Sequence, residues 1–275
     1  MNNNNINTYS SSNRDWTLHH GDVQNVLPTL SPNSHSGALS DPPYGINLMN
    51  HGWDRTVPPV SVWEQVLRLC KPGAFLLAFG GTKTFHRLIV NIEDAGWEIR
   101  DTCLWLYGEG FPKGQDIGKA VSKRISREQQ GVGQPNDANL WTGYNTALKP
   151  AWEPIVLAQK PRQETYANNA LRFGCGGLNI DECRTGPGRF PANLLLDEDA
   201  AEILDRQSAS SQSRPSRRRS GGTNVGNGKT LSTFRSRHEV VEGYSDEGGL
   251  SRFFYVAKAR GKERLDTNHP TLKPL

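Results

Sequence analysis

The first 160 residues alternate short apolar runs with stretches of helical spacing. Residues 74–79 form a continuous apolar run of strand length. The stretches on either side, 62–70 and 85–95, each place their apolar residues on one helical face. Strands that alternate with helices predict an α/β domain with a doubly wound, mainly parallel sheet. Functional residues of such sheets lie at the carboxyl ends of the strands.

Several classes of protein are excluded by simpler features. The longest apolar run, 74–79, is too short to span a membrane. The first residues are rich in Asn and Ser and lack the basic-then-apolar pattern of a secretory signal, so we expect reduced cysteines and a cytoplasmic protein. The four cysteines form no C-x-x-C pair, so no metal site is expected.

One segment is strongly basic although the net charge of the chain is only +4. Residues 206–237 contain seven Arg and one Lys and no acidic residue, and their Ser and Gly content predicts a mobile loop. Such a run can neutralise DNA phosphates, although a solvated loop without specific contacts is the alternative. The predicted DNA-binding residues are Arg214, Arg217, Arg218, Arg219, Lys229, Arg235 and Arg237.

The most specific motif is Asp41-Pro42-Pro43-Tyr44, which follows a brief apolar segment and therefore lies at a predicted strand end. It could be a plain strand-terminating turn. It also suits methyl transfer to an aromatic amino group, whose nitrogen lone pair is delocalised into the ring. The Asp41 carboxylate and the Pro42 carbonyl, fixed by its ring, can accept the two amino hydrogens. The Tyr44 ring can stack on a base that has left the helix.

These residues resemble the catalytic (Asp/Asn/Ser)-Pro-Pro-(Tyr/Phe/Trp) turn of the amino-group DNA methyltransferases, which act on adenine N6 or cytosine N4. Three further segments are similar to motifs of that family, namely 18–22 (Leu-His-His-Gly-Asp), 74–80 (Ala-Phe-Leu-Leu-Ala-Phe-Gly) and 268–275 (Asn-His-Pro-Thr-Leu-Lys-Pro-Leu). The resemblance implies a methyltransferase-type α/β sheet with S-adenosylmethionine as cofactor. It also implies a loop-rich target-recognition insert.

The resemblance assigns roles to individual residues. The expected cofactor-binding residues are Asp22, Asp41, His269, Thr271 and Lys273. The expected base pocket contains Tyr44, Trp53 and Gly80. Asp at the first position of the turn favours an N6-adenine enzyme that flips its target base. An N4-cytosine enzyme is the alternative. A protein-glutamine methyltransferase has a similar turn, but the basic insert argues against this interpretation.

The order of the motifs resembles the permuted β group, in which a Phe-x-Gly-x-Gly strand follows the motif that contains Lys273. Because the chain stops at Leu275, we expect an incomplete sheet. One alternative is therefore a catalytically incomplete DNA-binding half, whose missing strands a second chain supplies. Another is a self-sufficient cofactor pocket. Segments 107–113, 150–154 and 174–183 resemble members encoded by phages, which implies a bacterial or phage-infected cell.

These observations predict four regions and a set of partners. Residues 1–14 form a flexible tail, and 15–160 form the catalytic core with a loop insert at 108–150. Residues 161–264 form the target-recognition region, and 265–275 begin the cofactor motif and return to the core. The expected partner is double-stranded DNA, in a restriction-modification setting. A homodimer is a further alternative, and no membrane contact is expected.

Overall fold

The computed structural model describes residues 6–13, 15–47, 52–110, 114–127, 135–213, 218–219, 240–241 and 244–257. Predicted site residues that lie outside these ranges are His269, Thr271, Lys273, Arg214, Arg217, Lys229, Arg235 and Arg237. The chain divides into two compact units, Met1–Gly176 and Gly177–Leu275. In the part of the chain that is described, no helix is both long and apolar enough to cross a membrane.

The first unit contains most of the regular structure. Its strands are β1 (Asn7–Ser10), β2 (Thr17–His20), β3 (His35–Ser40), β4 (Cys70–Phe79), β5 (Glu98–Leu106) and β6 (Trp152–Gln159). Its helices are α1 (Val23–Val26), α2 (Val60–Leu69), α3 (Phe85–Asp94), α4 (Ile117–Arg127), α5 (Pro135–Leu140) and α6 (Tyr166–Phe173). Short 3-10 turns at Leu27–Thr29 and Gly52–Asp54 complete the unit.

The sheet of the first unit has the strand order β3-β4-β6-β5. Strand β3 pairs parallel with β4, and β6 pairs antiparallel with both β4 and β5. Strands β4 and β5 therefore point the same way, so β3, β4 and β5 share one direction and β6 is reversed between them. With helices packed on this sheet, the predicted α/β fold is confirmed; three of these four strands share one direction, but the sheet is mixed because β6 pairs antiparallel on both sides.

The core lies between one face of this sheet and helices α2 and α3. Leu76 and Ala78 point to the same face because side chains alternate along a strand, and both are fully buried. They belong to one apolar cluster with Leu88 and Ile92 of α3 and with Trp63 of α2. This packing explains why the helical spacing of residues 62–70 and 85–95 predicts both helices correctly.

The tail prediction needs a correction. Residues 1–14 are predicted as a flexible tail, yet Asn7–Ser10 forms strand β1 and pairs antiparallel with β2, in the register Asn7↔His20 to Ser10↔Thr17. The side chains of β1 are exposed, so no apolar alternation marks it as a strand. Backbone hydrogen bonds to β2 hold it, and these leave no trace in the side-chain pattern.

Helices also occur in two stretches for which no helix is predicted. Helices α4 and α5 lie inside the predicted loop insert at 108–150. Helix α6 follows the predicted core boundary at residue 160, but the first compact unit continues to Gly176. The reason is the buried Asn169 of α6, whose amide donates hydrogen bonds to the carbonyls of Pro72 (2.9 Å) and Cys175 (3.0 Å).

The second unit is built from short elements. They are β7 (Leu194–Leu196), α7 (Glu198–Ser208), β8 (Ser211–Gln212), β9 (Arg218–Arg219), β10 (Val240–Val241), β11 (Glu247–Gly248) and β12 (Tyr255–Val256). Strands β7 and β12 pair parallel, whereas β8 pairs antiparallel with β11 and β9 with β10. Arg218 and Arg219 of the basic run are thus the two residues of a paired strand.

Candidate active site

Four chain segments meet at one edge of the sheet in the first unit. Asp41 follows β3 directly, Gly80 follows β4, and Tyr107 follows β5, so all three lie at carboxyl ends of parallel strands. Because β6 is reversed, its first residues, Trp152 and Glu153, lie at this same edge. The predicted location of the Asp-Pro-Pro-Tyr turn at a strand end agrees with the structure.

The centre of this edge is the hydroxyl group of Tyr44. Tyr44 Oη lies 2.8 Å from Asp41 Oδ1 and 3.0 Å from Glu153 Oε2, within hydrogen-bonding distance of both carboxylates. Burial of the phenol and the negative charges of Glu153 and Asp41 raise the pKa of Tyr44 far above its usual range. The hydroxyl therefore keeps its hydrogen and acts as a donor at neutral pH.

The turn is held in place by hydrogen bonds from its own surroundings. The Thr84 hydroxyl donates to the Tyr44 carbonyl. The amide of Gly45 donates to Asp54 Oδ1 (2.8 Å), and the amide of Asn47 donates to the Asp54 carbonyl (2.7 Å). Asp54 is buried, so it ties the residues after Tyr44 to the following loop.

Gly45 is required by the shape of this turn. Its φ of +69° lies in the left-handed region, which residues with a Cβ seldom adopt. A Cβ at this position would also lie 2.9 Å from the backbone nitrogen of Val57. The turn therefore reverses tightly after Tyr44, which keeps the aromatic ring beside Asp41.

The two glycines after β4 have different neighbours. A Cβ on Gly80 would meet Leu88 and Phe85 of α3, and the Gly80 amide donates to the Pro154 carbonyl (2.9 Å). A Cβ on Gly81 would instead lie 3.3 Å from Cβ and Cδ2 of Tyr44. Gly80 is the residue that the sequence assigns to the base pocket, whereas Gly81 is the one that packs against Tyr44.

The other predicted site residues in the first unit lie on loops and turns. Trp53 is 62% exposed, within the short turn Gly52–Asp54 that Asp54 ties to the end of the motif. Asp22 follows β2 and begins α1, where its carboxylate accepts a hydrogen bond from the Gln24 amide (2.8 Å). The Asp22 side chain is exposed, so it can also accept a hydrogen bond from a ligand.

A groove of about 680 Å³ lies beside the turn. Gly45 and Thr84 form part of its lining, and the exposed cationic side chains of Arg55 and Arg87 form another part. Guanidinium groups bind phosphate oxygens well, because their donors match the phosphate geometry. The groove therefore places two guanidinium groups near the turn, and no sequence motif predicts it.

Sequence reasoning also missed Glu153. The segment 150–154 is noted for a family resemblance, but nothing in the residue spacing connects it to Tyr44, which is 109 positions away. The nearby Tyr107 also responds to Glu153, since burial and the Glu153 charge raise the pKa of its phenol. Only the reversed direction of β6 could have indicated this contact, because it brings Glu153 to the edge of the sheet that holds Asp41.

No family model matches the chain. Among curated proteins it is similar to the Type II methyltransferase M.HindIII of Haemophilus influenzae, with 27% identity. The similarity covers 60% of this chain and 54% of the relative, so the chain spans about half the length of that protein. The predicted resemblance to the DNA methyltransferases is confirmed by this similarity.

Solved structures that are similar to this chain include M1.HpyAVI, with 13% identity and a TM-score of 0.34, covering 64% of this chain and 63% of that chain. Another is a Thermus thermophilus protein described as a DNA modification methylase, complexed with S-adenosyl-L-methionine. It has 18% identity and a TM-score of 0.30, covering 54% of this chain and 57% of that one. With scores this low, the fold rests on the strand pairing of the chain itself.

Proposed function

We propose that this chain, a relative of the S-adenosylmethionine-dependent DNA methyltransferases, transfers a methyl group to the N6 amino group of an adenine flipped out of double-stranded DNA. The observation that carries the proposal is the position of Asp41. Its exposed carboxylate lies at the carboxyl edge of the sheet, 2.8 Å from the hydroxyl of Tyr44. An acceptor and an aromatic ring thus stand together where such folds place their chemistry.

Asp41 would act on the nitrogen that receives the methyl group. By accepting one amino hydrogen, its carboxylate draws the nitrogen lone pair out of conjugation with the ring. The Pro42 carbonyl would accept the other hydrogen, and Pro43 keeps the turn rigid. The Tyr44 ring would stack on the flipped base, and Trp53 would close over it. These residues supply alignment and charge stabilisation.

S-adenosylmethionine supplies the methyl group, already activated by the positive sulfonium. The described residues fit such a cofactor, because the exposed Asp22 carboxylate can accept hydrogen bonds from amino and hydroxyl groups. We assign the remaining cofactor contacts to Asp41, His269, Thr271 and Lys273. The protein's part is to orient the methyl donor toward the amino nitrogen beside Asp41.

Two basic surfaces would hold the DNA backbone. The first is the groove beside the turn, where Arg55 and Arg87 can contact phosphates next to the flipped nucleotide. The second is the target-recognition region, with Arg214, Arg217, Arg218, Arg219, Lys229, Arg235 and Arg237 as its phosphate-binding residues. Base-specific contacts within the DNA grooves would then select the site.

Replacing Asp41 tests the catalytic assignment. In D41A we expect the single-turnover methylation rate to fall by about 10²–10⁴-fold, the range for loss of a positioned acceptor in a transition state. DNA affinity should stay within about threefold of the wild type, because a single small carboxylate adds little to phosphate-dominated binding. Methylation is measured with labelled cofactor on genomic DNA, and the modified nucleoside is identified after digestion.

The control for D41A is D94A, which removes an exposed carboxylate at the end of α3. It should methylate DNA at the wild-type rate. A D41A chain that methylates normally would contradict the catalytic role of the turn. Digestion also decides the base: N4-methylcytosine in place of N6-methyladenine would replace the adenine proposal by the cytosine alternative.

Neutralising Arg217, Arg218 and Arg219 tests the DNA-binding assignment. We expect the slope of log affinity against log salt concentration to become less steep by about 0.9 for each phosphate that the protein no longer neutralises. Fluorescence anisotropy of labelled duplex DNA between low and moderate salt measures this slope. An unchanged slope would remove the basic run from the interface.

A further inference from the structure

Glu153 is a charged residue at this edge to which the proposed function gives no role. It is half-buried, and its Oε2 lies 3.0 Å from the Tyr44 hydroxyl oxygen. Asp41 Oδ1 lies on the same hydroxyl at 2.8 Å. One phenol oxygen therefore has two carboxylate partners at hydrogen-bonding distance.

A phenol hydroxyl carries a single hydrogen, so it cannot donate fully to two acceptors at once. Whatever share of the hydrogen Glu153 receives is withheld from Asp41. This competition matters because the proposed reaction needs Asp41 as an acceptor for an amino hydrogen of the substrate. An Asp41 oxygen that already accepts strongly from Tyr44 is a weaker acceptor for a second donor.

We propose that Glu153 is a positioning residue that draws the Tyr44 hydrogen toward itself, so that Asp41 can accept a hydrogen from the substrate amino group. The inference rests on the proposed function, because it assigns Asp41 the role given there. The hydrogen stays covalently on the Tyr44 oxygen throughout, and only its acceptor changes. When the substrate amino group binds, Tyr44 donates to Glu153, and Asp41 accepts from the substrate.

The backbone around Glu153 suits a residue that must hold its position. Glu153 pairs with Trp105 of β5 on one side. On the other side, the carbonyl of the next residue, Pro154, accepts a hydrogen bond from the Gly80 amide at 2.9 Å. Strand pairing on one side and this hydrogen bond on the other fix the backbone from which the carboxylate extends, which is the rigid support that a positioned group needs. The raised pKa of Tyr44 agrees with two negative charges near its hydroxyl.

A double-mutant cycle tests the proposal. The single-turnover methylation rate is measured at saturating cofactor for wild type, E153A, E153Q, Y44F and Y44F/E153A. We expect E153A to be about tenfold slower, the effect of misdirecting one hydrogen bond, with an unchanged KM for S-adenosylmethionine. E153Q should retain more activity than E153A, since its amide oxygen can still accept the hydrogen.

The decisive variant is the double mutant Y44F/E153A. Phenylalanine has no hydroxyl that could donate to Asp41, so Glu153 should be dispensable in the Y44F background. The double mutant should therefore have the same methylation rate as Y44F alone. A double mutant that is slower than Y44F would overturn the proposal, because Glu153 would then act without the hydroxyl. A wild-type rate in E153A would overturn it as well. The matched control is E98A, an exposed carboxylate at the start of β5, which should keep the wild-type rate.

A spectroscopic readout separates this inference from the proposed function. The chain has 7 tyrosines, so a ¹³Cζ-tyrosine label gives few resonances, and Y44F identifies the one from Tyr44. A shared hydrogen predicts that D41N and E153Q each shift this resonance, without any need for methylation. A resonance that E153Q leaves in place overturns the sharing. Wild-type protein that methylates no DNA would refute the proposed function, while the resonance would still test the Glu153 contact.

Discussion

Each of the two units of this protein contains a cluster of three polar side chains, in which one central group lies between two groups of like charge. In the first unit, one donor, the Tyr44 hydroxyl, lies between the carboxylates of Asp41 and Glu153. In the second unit, one acceptor, the Asp246 carboxylate, lies between two guanidinium groups. Asp246 is 2.5 Å from Arg189 and 3.3 Å from Arg252.

The electrostatic consequences of the two clusters are opposite. The hydrogen bond and positive charge of Arg189 lower the pKa of Asp246 well below its usual range, so the ionised form is favoured. Around Tyr44, burial and two negative charges raise the pKa of the phenol. Opposite charges that pair stabilise a fold, whereas like charges gathered around one group are typical of functional sites. The comparison therefore indicates a structural role for the Asp246 cluster and agrees with the catalytic role proposed for the residues around Tyr44.

The surroundings of Arg189 support the structural interpretation. Its guanidinium stacks on the rings of Tyr244 (4.6 Å) and Phe253 (4.7 Å), and the side chain is almost entirely buried. The amide of Ser213 donates to the Asp246 carbonyl at 2.9 Å. The cluster thus joins the chain on both sides of residues 214–243, which contain most of the basic run.

Removing Arg189 should have the largest effect on stability. In R189A we expect the free energy of unfolding to fall by about 3 kcal/mol, because a buried, paired guanidinium and its stacking on two aromatic rings are removed together. Urea unfolding at pH 7 measures this change. The control is R184A, which removes an exposed ion pair with Asp181 and should cost less than about 1 kcal/mol. Equal losses in the two variants would contradict the structural role.

The Asp246 cluster should also make stability depend on pH. The folded pKa of Asp246 is lowered relative to the unfolded value of about 3.9, so its contribution is complete above that value and is lost as the pH falls through the folded pKa. The difference in Tm between wild type and D246N should therefore be largest near neutral pH and narrow below about pH 4. Thermal unfolding between pH 3 and 7 measures it. A difference that does not change with pH would mean that the carboxylate charge is unimportant.

The smallest stability effect should come from the first cluster. Y44F removes the hydroxyl but keeps the ring against Gly81, so we expect a loss of no more than about 1 kcal/mol in the free energy of unfolding. The same urea experiment measures it beside R189A. A loss as large as that of R189A would break the comparison, because the Tyr44 cluster would then also be structural.

Prediction from sequence succeeded where the local pattern and the tertiary role agree. The apolar run at 74–79 lies within β4 (Cys70–Phe79), and the helical face at 85–95 matches α3 (Phe85–Asp94). Both pack in the core, so burial explains the continuous apolar run of the strand and the apolar face of the helix. Strand β1 was missed because backbone hydrogen bonds to β2 hold it, and these leave no hydrophobic period. Helix α6 was missed although its apolar residues have helical spacing, and its place in the first unit depends on the buried amide of Asn169.

The candidate site also has one part that the local sequence predicts and one part that depends on tertiary structure. The sequence alone determined the Asp-Pro-Pro-Tyr turn and its place at a strand end, because these residues are adjacent and prolines restrict the backbone locally. Only the tertiary structure decided that Glu153 meets Tyr44, and that Arg55 and Arg87 line one groove beside it. The direction of β6 between β4 and β5 depends on pairing between distant strands, and no local pattern of residues encodes it.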